Sequence, residues 1–185
     1  MSQSDQRFNG LLVGDAAPDF SLPGVDGRTY GVGSFADKPV LVVVFSCNHC
    51  PYVQAYEDRL VAIQRDYADL GVQLVAINSN DDLNYPEDSF ENMVVRAKAK
   101  RYNFPYLRDA SQRVARSYGA THTPHLFVFD RSRRLRYTGK IDDNWQRPDA
   151  VTRRYLREAL DAILKDSAPT ETVTHAIGCT IKWAY

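Results

Sequence analysis

Two cysteines set two residues apart, Cys47 and Cys50, stand where a β-branched apolar run ends and a helical pattern begins. The run Val40-Leu41-Val42-Val43-Val44-Phe45 is apolar at every position, which suits a strand buried on both faces of a parallel sheet. Sulfurs at such a junction meet the unpaired backbone N–H groups of the first helical turn and the positive end of its macrodipole. Both favour thiolate over thiol, and a protonated His49, lying between the two sulfurs, would favour it further. An unperturbed cysteine is only about 3% thiolate at pH 7, whereas a pKa near 6 makes it about 90%. Holding the thiolate stabilises the dithiol, so the matching disulfide becomes the better oxidant. The expected chemistry is therefore a dithiol–disulfide couple at Cys47 and Cys50. A structural zinc needs four ligands, and no second Cys-x-x-Cys exists to complete a set.

The surrounding pattern says how these sulfurs are carried. From Pro51 onward, Val53, Tyr56, Leu60, Ile63, Tyr67 and Leu70 recur at steps of three and four, and Gly71 supplies a stop. Val72–Ile77 reads as a second buried strand, so strand, helix and strand form a right-handed parallel crossover. The polar stretch from Asn78 to Glu87 falls at the carboxyl end of that strand, the usual ligand end of an open α/β sheet. Upstream, Phe20 and Leu22 alternate and Asp26-Gly27 offers a turn, which predicts a β-hairpin closing near Thr29 and Tyr30. Downstream, the spacing predicts helices over Glu87–Tyr102 and Ser111–Tyr118 and an extended piece at Phe104–Leu107. A strand at Leu126–Asp130, its antiparallel partner at Leu135–Lys140 and a last helix over Asp149–Lys165 follow, the helix showing Val151, Tyr155, Leu156, Leu160 and Ile163 on one face.

Thr123-Pro124 directly precedes the later strand and is a candidate cis bond, one that would leave the Thr123 backbone free to pair with an extended peptide beside the cysteines. The tail is polar from Asp166 to His175, then regains apolar character, so Ile177, Ile181 and Trp183 are expected to dock. The thirteen residue-to-residue steps from Asp166 to Cys179 can span about 45 Å, against a radius of gyration of about 16 Å for a domain this size. Reach therefore does not keep Cys179 from the other two sulfurs. It is either a small buried hydrophobe or a resolving thiol for Cys47 or Cys50.

A chain of 185 residues fits one domain with a substantial core. Lys+Arg and Asp+Glu both number 23, so no global charge draws it to nucleic acid or to an anionic membrane. Residues 1–10 lack the apolar core of a signal peptide, and nothing approaches the roughly 18 apolar residues of a membrane span. Three cysteines, an odd number with a close pair, suit a reducing compartment, and the cytoplasm is the expectation.

Several motifs together resemble a family. Gly14-x-x-Ala17-Pro18-x-Phe20-x-Leu22, a strand running into Cys-x-x-Cys, and Thr-Pro before a later strand resemble the thioredoxin-fold AhpC/TSA superfamily. More narrowly, Cys47–Val53, Ala76–Asp81, Tyr85–Ser89, Gly139–Asp143 and Gly178–Trp183 resemble bacterial peroxiredoxin-like proteins of the thioredoxin family. The resemblance implies an α/β thioredoxin-like fold, a central mixed sheet flanked by helices, with an N-terminal β-hairpin and a docked C-terminal tail. It divides the chain into an extension over 1–13, the domain over 14–165 and the tail over 166–185. It implies no cofactor. The partners would be a protein or small-molecule disulfide, or a hydroperoxide, with a thioredoxin- or glutathione-type electron donor, in a monomer or homodimer.

Roles carry over in two ways. Read as a thioredoxin, Cys47 is the exposed nucleophile, Cys50 resolves it, Pro124 is the cis-proline, and Asn48 and Thr123 meet the substrate. Read as a peroxiredoxin, the Thr-x-x-Cys-Pro pattern falls on Cys47 to Pro51 and points to Cys50; Cys50 or Cys47 would be peroxidatic, with Cys179 or the other cysteine of the pair resolving it. The chain departs from both patterns. Cys47 replaces the peroxiredoxin threonine, and the peroxiredoxin arginine falls near Pro124. Leu41 stands where thioredoxin keeps a buried acid, which leaves His49, Glu57 or a water as proton acceptor. His122 opens a third resemblance, to copper-handling proteins of the Sco type, with Cys47, Cys50 and His122 as the metal set.

Overall fold

A computed structural model describes residues 10–185, so residues 1–9 of the expected extension lie outside the described part. A short antiparallel hairpin, β1 (Leu22–Pro23) and β2 (Thr29–Tyr30), leads into β3 (Val40–Ser46). Then come α1 (Pro51–Tyr67), β4 (Val72–Asn78), α2 (Phe90–Ala99), β5 (Tyr106–Arg108), α3 (Arg113–Tyr118) and β6 (His122–Thr123). The chain closes with β7 (His125–Phe129), β8 (Leu135–Gly139), α4 (Tyr155–Leu164) and β9 (Cys179–Thr180).

Five strands form one sheet in the order β5-β4-β3-β7-β8. β4 runs parallel to both β3 and β5, while β7 is antiparallel to β3 and to β8. This is the mixed sheet and crossover of a thioredoxin-like fold. β3 is central because it is apolar on both faces. Val40, Val42 and Val44 meet Leu60, Ile63 and Leu156 on the side of α1 and α4, and Leu41, Val43 and Phe45 meet Ala115, Tyr118 and Phe20 on the other. All six are at most 1% exposed, and burying such a side chain stabilises the fold by about 1.5–3 kcal/mol.

Three helices begin later than the spacing predicts, α3 by two residues, and the other two for a clear local reason. Pro86–Asp88 forms a 3-10 turn that aims the Asp88 side chain inward, and Ser89 then caps α2 by accepting from the Asn92 N–H. The last helix starts at Tyr155 rather than Asp149 because Asp143 captures Thr152, accepting from its N–H and its hydroxyl. Val151 is therefore not on the helix face.

Glu57 of α1 is fully buried, and its carboxylate accepts from the Arg96 guanidinium and from Tyr102 Oη at 2.7 Å. These bonds tie α1 to α2 and engage both carboxylate oxygens, so Glu57 is a structural ion-pair member rather than a free proton acceptor. Arg96→Met would strand that charge, and urea denaturation should show a loss of about 3 kcal/mol. Among the described residues, no helix is long and apolar enough to cross a membrane.

Candidate active site

The carboxyl end of β3 delivers Cys47, and Cys50 sits at the N-cap of α1 with extended backbone (φ −72°, ψ 123°) before Pro51. Proline suits that first helical position because its missing N–H would have no partner there. The Thr123–Pro124 peptide bond is cis, and Thr123 lies against both sulfurs, its hydroxyl toward Cys47 and its carbonyl toward Cys50. Cys47 Sγ lies 3.5 Å from Thr123 Oγ1, and Cys50 Sγ lies 3.4 Å from Thr123 O.

The tail supplies a third sulfur. Cys179 pairs with Thr123 and Thr180 with His122 in an antiparallel β6–β9 ladder, which sets Cys179 Sγ 2.8 Å from Cys50 Sγ. Gly178 permits this approach, because a Cβ there would fall 2.0 Å from Thr123 O. Ile181 is buried at 3% exposure, its N–H bonds Thr121 O at 3.0 Å, and Arg116 stacks over Trp183. Cys47 and Cys50 are 1% and 0% exposed, and only Cys179 reaches partial exposure. The exposed Cys47 expected from the thioredoxin pattern is thus corrected: the tail covers that end of the sheet.

Of the Cys47–Cys50 pair, Cys50 is the sulfur drawn toward thiolate. Its pKa is lowered to about 4, first by the Cys47 thiol, then, against the opposing effect of burial, by the Cys179 thiol and the Val53 N–H. Cys47 is held well above the ordinary cysteine range because its S–H serves the Cys50 thiolate, with burial and the Asp88 charge adding. Cys179 is pushed up to about 11 by burial and then by Cys50.

Sequence reasoning missed Asp88. Its carboxylate is wholly buried and accepts from Asn48 N (2.6 Å), Asn80 Nδ2 (2.9 Å) and Asn78 Nδ2 (3.3 Å). His49 Nδ1 lies 2.6 Å from Asp88 Oδ2 but off the hydrogen-bond direction, so this contact is mainly electrostatic. The imidazole remains partly open to solvent and stacks on Tyr85. Ligating atoms of Cys47, His49 and Asp88 all lie within 4.8 Å of one another. A metal could draw on these three, yet the Asp88 oxygens are already taken up by N–H donors. His49, whose buried Nδ1 makes no hydrogen bond, is the group here left able to take a proton from Cys47. The signal was present in the sequence: Asn78, Asn80 and Asp88 all fall within the motifs that carry the family resemblance.

Two expected roles are not supported by the geometry. The Asn48 side chain donates to Glu87 O and accepts from Tyr106 Oη, so it braces the loop instead of facing a substrate. His122 turns Nδ1 to Thr121 Oγ1 at 2.8 Å and joins no cluster of three ligating groups among the described residues, so the Cys47–Cys50–His122 copper set is not assembled.

A mixed sheet with a Cys-x-x-Cys at the start of its crossover helix and a cis-proline opposite defines a thioredoxin-fold redox protein. The redoxin family model matches residues 12–153, and the chain belongs to that family. A solved structure of a hypothetical protein from Sinorhizobium meliloti 1021 is 44% identical, with a TM-score of 0.88 over 95% of this chain and 96% of that one. The thiol-disulfide oxidoreductase ResA of Geobacillus thermodenitrificans is 27% identical over 130 residues, 68% of each chain. The chloroplastic peroxiredoxin Q of Populus jackii is 24% identical over 60% of this chain and 49% of its own.

Proposed function

We propose that this protein is a thiol–disulfide oxidoreductase in which Cys50 is the attacking thiolate and Cys47 its partner. The Cys50 thiolate attacks one sulfur of a substrate disulfide, forms a mixed disulfide and expels the other sulfur as a thiolate. Cys47 then gives its proton to His49, which Asp88 flanks, and attacks Cys50 Sγ, which closes Cys47–Cys50 and releases the reduced product. A thioredoxin- or glutathione-type donor returns two electrons. The observation that carries this reading is the place of the Cys50 sulfur, at the N-cap of α1 three residues from Cys47 and 2.8 Å from the Cys179 sulfur, a setting that lowers its pKa. The relative named as a thiol-disulfide oxidoreductase supports it.

A second reading rests on Cys50-Pro51, which occupies the peroxidatic register of the peroxiredoxin pattern and carries the thiolate. Stopped-flow mixing of the reduced protein with a small disulfide and, separately, with a hydroperoxide separates the two. Disulfide reduction well above the rate of a free thiol, with peroxide consumption no faster than one, is expected. The reverse pattern would replace the first reading with the second.

Asp88→Asn removes the carboxylate beside His49 and should slow closure of Cys47–Cys50 by about 100-fold. With Cys179 also replaced by serine, the mixed disulfide on Cys50 would then accumulate, visible as an adduct mass. Unchanged closure with an unchanged pH profile would mean that Asp88 only braces the loop.

A further inference from the structure

A cavity lies away from the sulfurs, between α1 and the stretch that leads into α4. Asp143 holds Thr152, and its own N–H bonds Arg153 O at 3.2 Å, so the chain crosses the molecule before the helix begins. Val151, left off the helix face, lines the resulting space of about 180 Å³. Ile63, Ile141 and Val151 give this cavity an apolar wall, and Arg59, Arg154 and Arg157 bring three guanidiniums to it against one carboxylate, Asp142. No cysteine lines it, so what it holds is not the reacting disulfide.

The negative charge there is already engaged, and the positive charge is not. Asp142 Oδ1 accepts from Tyr56 Oη at 2.6 Å and from the Asn144 N–H at 3.0 Å, while Oδ2 accepts from Arg59 at 2.8 Å. Arg59 also donates to Asn144 O and Trp145 O, both at 2.7 Å, but its buried Nε–H has no partner among the described residues. A buried donor without an acceptor is costly, so an incoming acceptor gains most at that atom. Arg157 spends one nitrogen on Asp66 at 2.9 Å, and the Arg154 guanidinium meets no acceptor among the described residues. Guanidinium forks match a planar carboxylate through paired hydrogen bonds. A bare phosphate would leave the apolar wall uncovered, whereas a ring would cover it, since a cavity of about 150 Å³ holds benzene.

We propose that this cavity binds a small organic carboxylate whose apolar body is about the size of one aromatic ring. The carboxylate meets Arg154, Arg157 and the Arg59 Nε–H, and the body lies on Ile63, Ile141 and Val151. Arg59 also clamps the Trp145 loop, whose indole packs on Tyr52 with ring centroids 4.2 Å apart and borders Pro124. Tyr52 in turn packs on the cluster of Cys47 and Cys50. The ligand therefore touches the support of the redox pair without meeting a sulfur, and the site stands whichever way the sulfurs react.

The test titrates the full reduced chain with sodium benzoate by calorimetry, with inorganic phosphate as the probe of charge alone and benzyl alcohol as the probe of the ring alone. Benzoate should bind one to one with a Kd below about 1 mM, and the other two at least about tenfold more weakly. Arg154→Gln and Arg157→Gln should each weaken benzoate by about fivefold or more. Val151→Phe fills the cavity from a loop position and should abolish binding, with the far-ultraviolet spectrum and the rate of thiol–disulfide exchange left as in wild type. The Arg59 Nε–H resonance in nitrogen-15 spectra should shift in step with the heat. No saturable heat with benzoate overturns the site, as does benzoate binding that Val151→Phe and both arginine variants leave unchanged. An Arg59 resonance that stays put at saturation overturns it equally. Phosphate binding as tight as benzoate overturns the organic carboxylate class, and benzyl alcohol binding as tight overturns the role of the arginines.

Discussion

Cys50→Ser should lose thiol–disulfide exchange with every partner, by about 10³-fold or more, whereas Cys47→Ser should retain single-turnover oxidation through Cys179. The asymmetry comes from geometry. Cys50 lies between two sulfurs, 2.8 Å from Cys179 Sγ and facing the Cys47 thiol, so every internal disulfide contains it. It is also the only one of the three whose pKa is lowered; the other two are raised. A serine hydroxyl cannot ionise near neutrality, so the substitution removes both the nucleophile and the charge that raises its neighbours. Thiolate absorbance in the ultraviolet should accordingly vanish from the pH 4–9 range in Cys50→Ser, and the Cys179 titration should move down from about 11.

The same thiolate makes the reduced protein's stability depend on pH, with a fixed sign. The folded value near 4 lies below the ordinary value of 9.0, so between them the unfolded chain binds more protons than the folded one. Stability from Cys50 is fully present above the ordinary value and is lost as pH falls through about 4. Urea midpoints of the reduced wild type should therefore fall more steeply on acidification than those of Cys50→Ser. Parallel curves would contradict a thiolate in the folded state.

Gly178→Val should produce the second large effect. The new Cβ would stand 2.0 Å from Thr123 O and 2.7 Å from Thr123 C, and neither is a side chain that can swing away. The β6–β9 ladder should open at a cost of about 3 kcal/mol, while the anchors at Lys182 and Ala184 keep the end of the tail in place. Three readouts should move together. Amide exchange at Cys179 and Ile181 should quicken, the Cys50 titration should rise as it loses the Cys179 donor, and insulin disulfides should become substrates because the Thr123 edge is free. Gly33→Ala is the control, since a Cβ there meets nothing within 4 Å. Wild-type amide protection in Gly178→Val would show that the tail does not depend on this contact.

Much of the site's support could be read locally. An apolar run that alternates onto two cores, a proline at the first helical position and a glycine in left-handed conformation at Gly71 (φ 88°) are near-neighbour patterns, and they place Cys47 and Cys50 at a helix mouth without further information. The return of Ile181 and Trp183 after a polar stretch likewise announced docking.

What the sequence determined by itself was the strand, the helix start, the spacing of the two sulfurs and an apolar tail, because each depends on residues a few positions apart. Only the tertiary structure decided that Asp88 meets His49 across 39 residues, that Cys179 meets Cys50 across 129, and that Thr123 is already paired. Those contacts are set by loop paths and strand register over long separations, and a β ladder displaced by one residue would turn Cys179 to the other face.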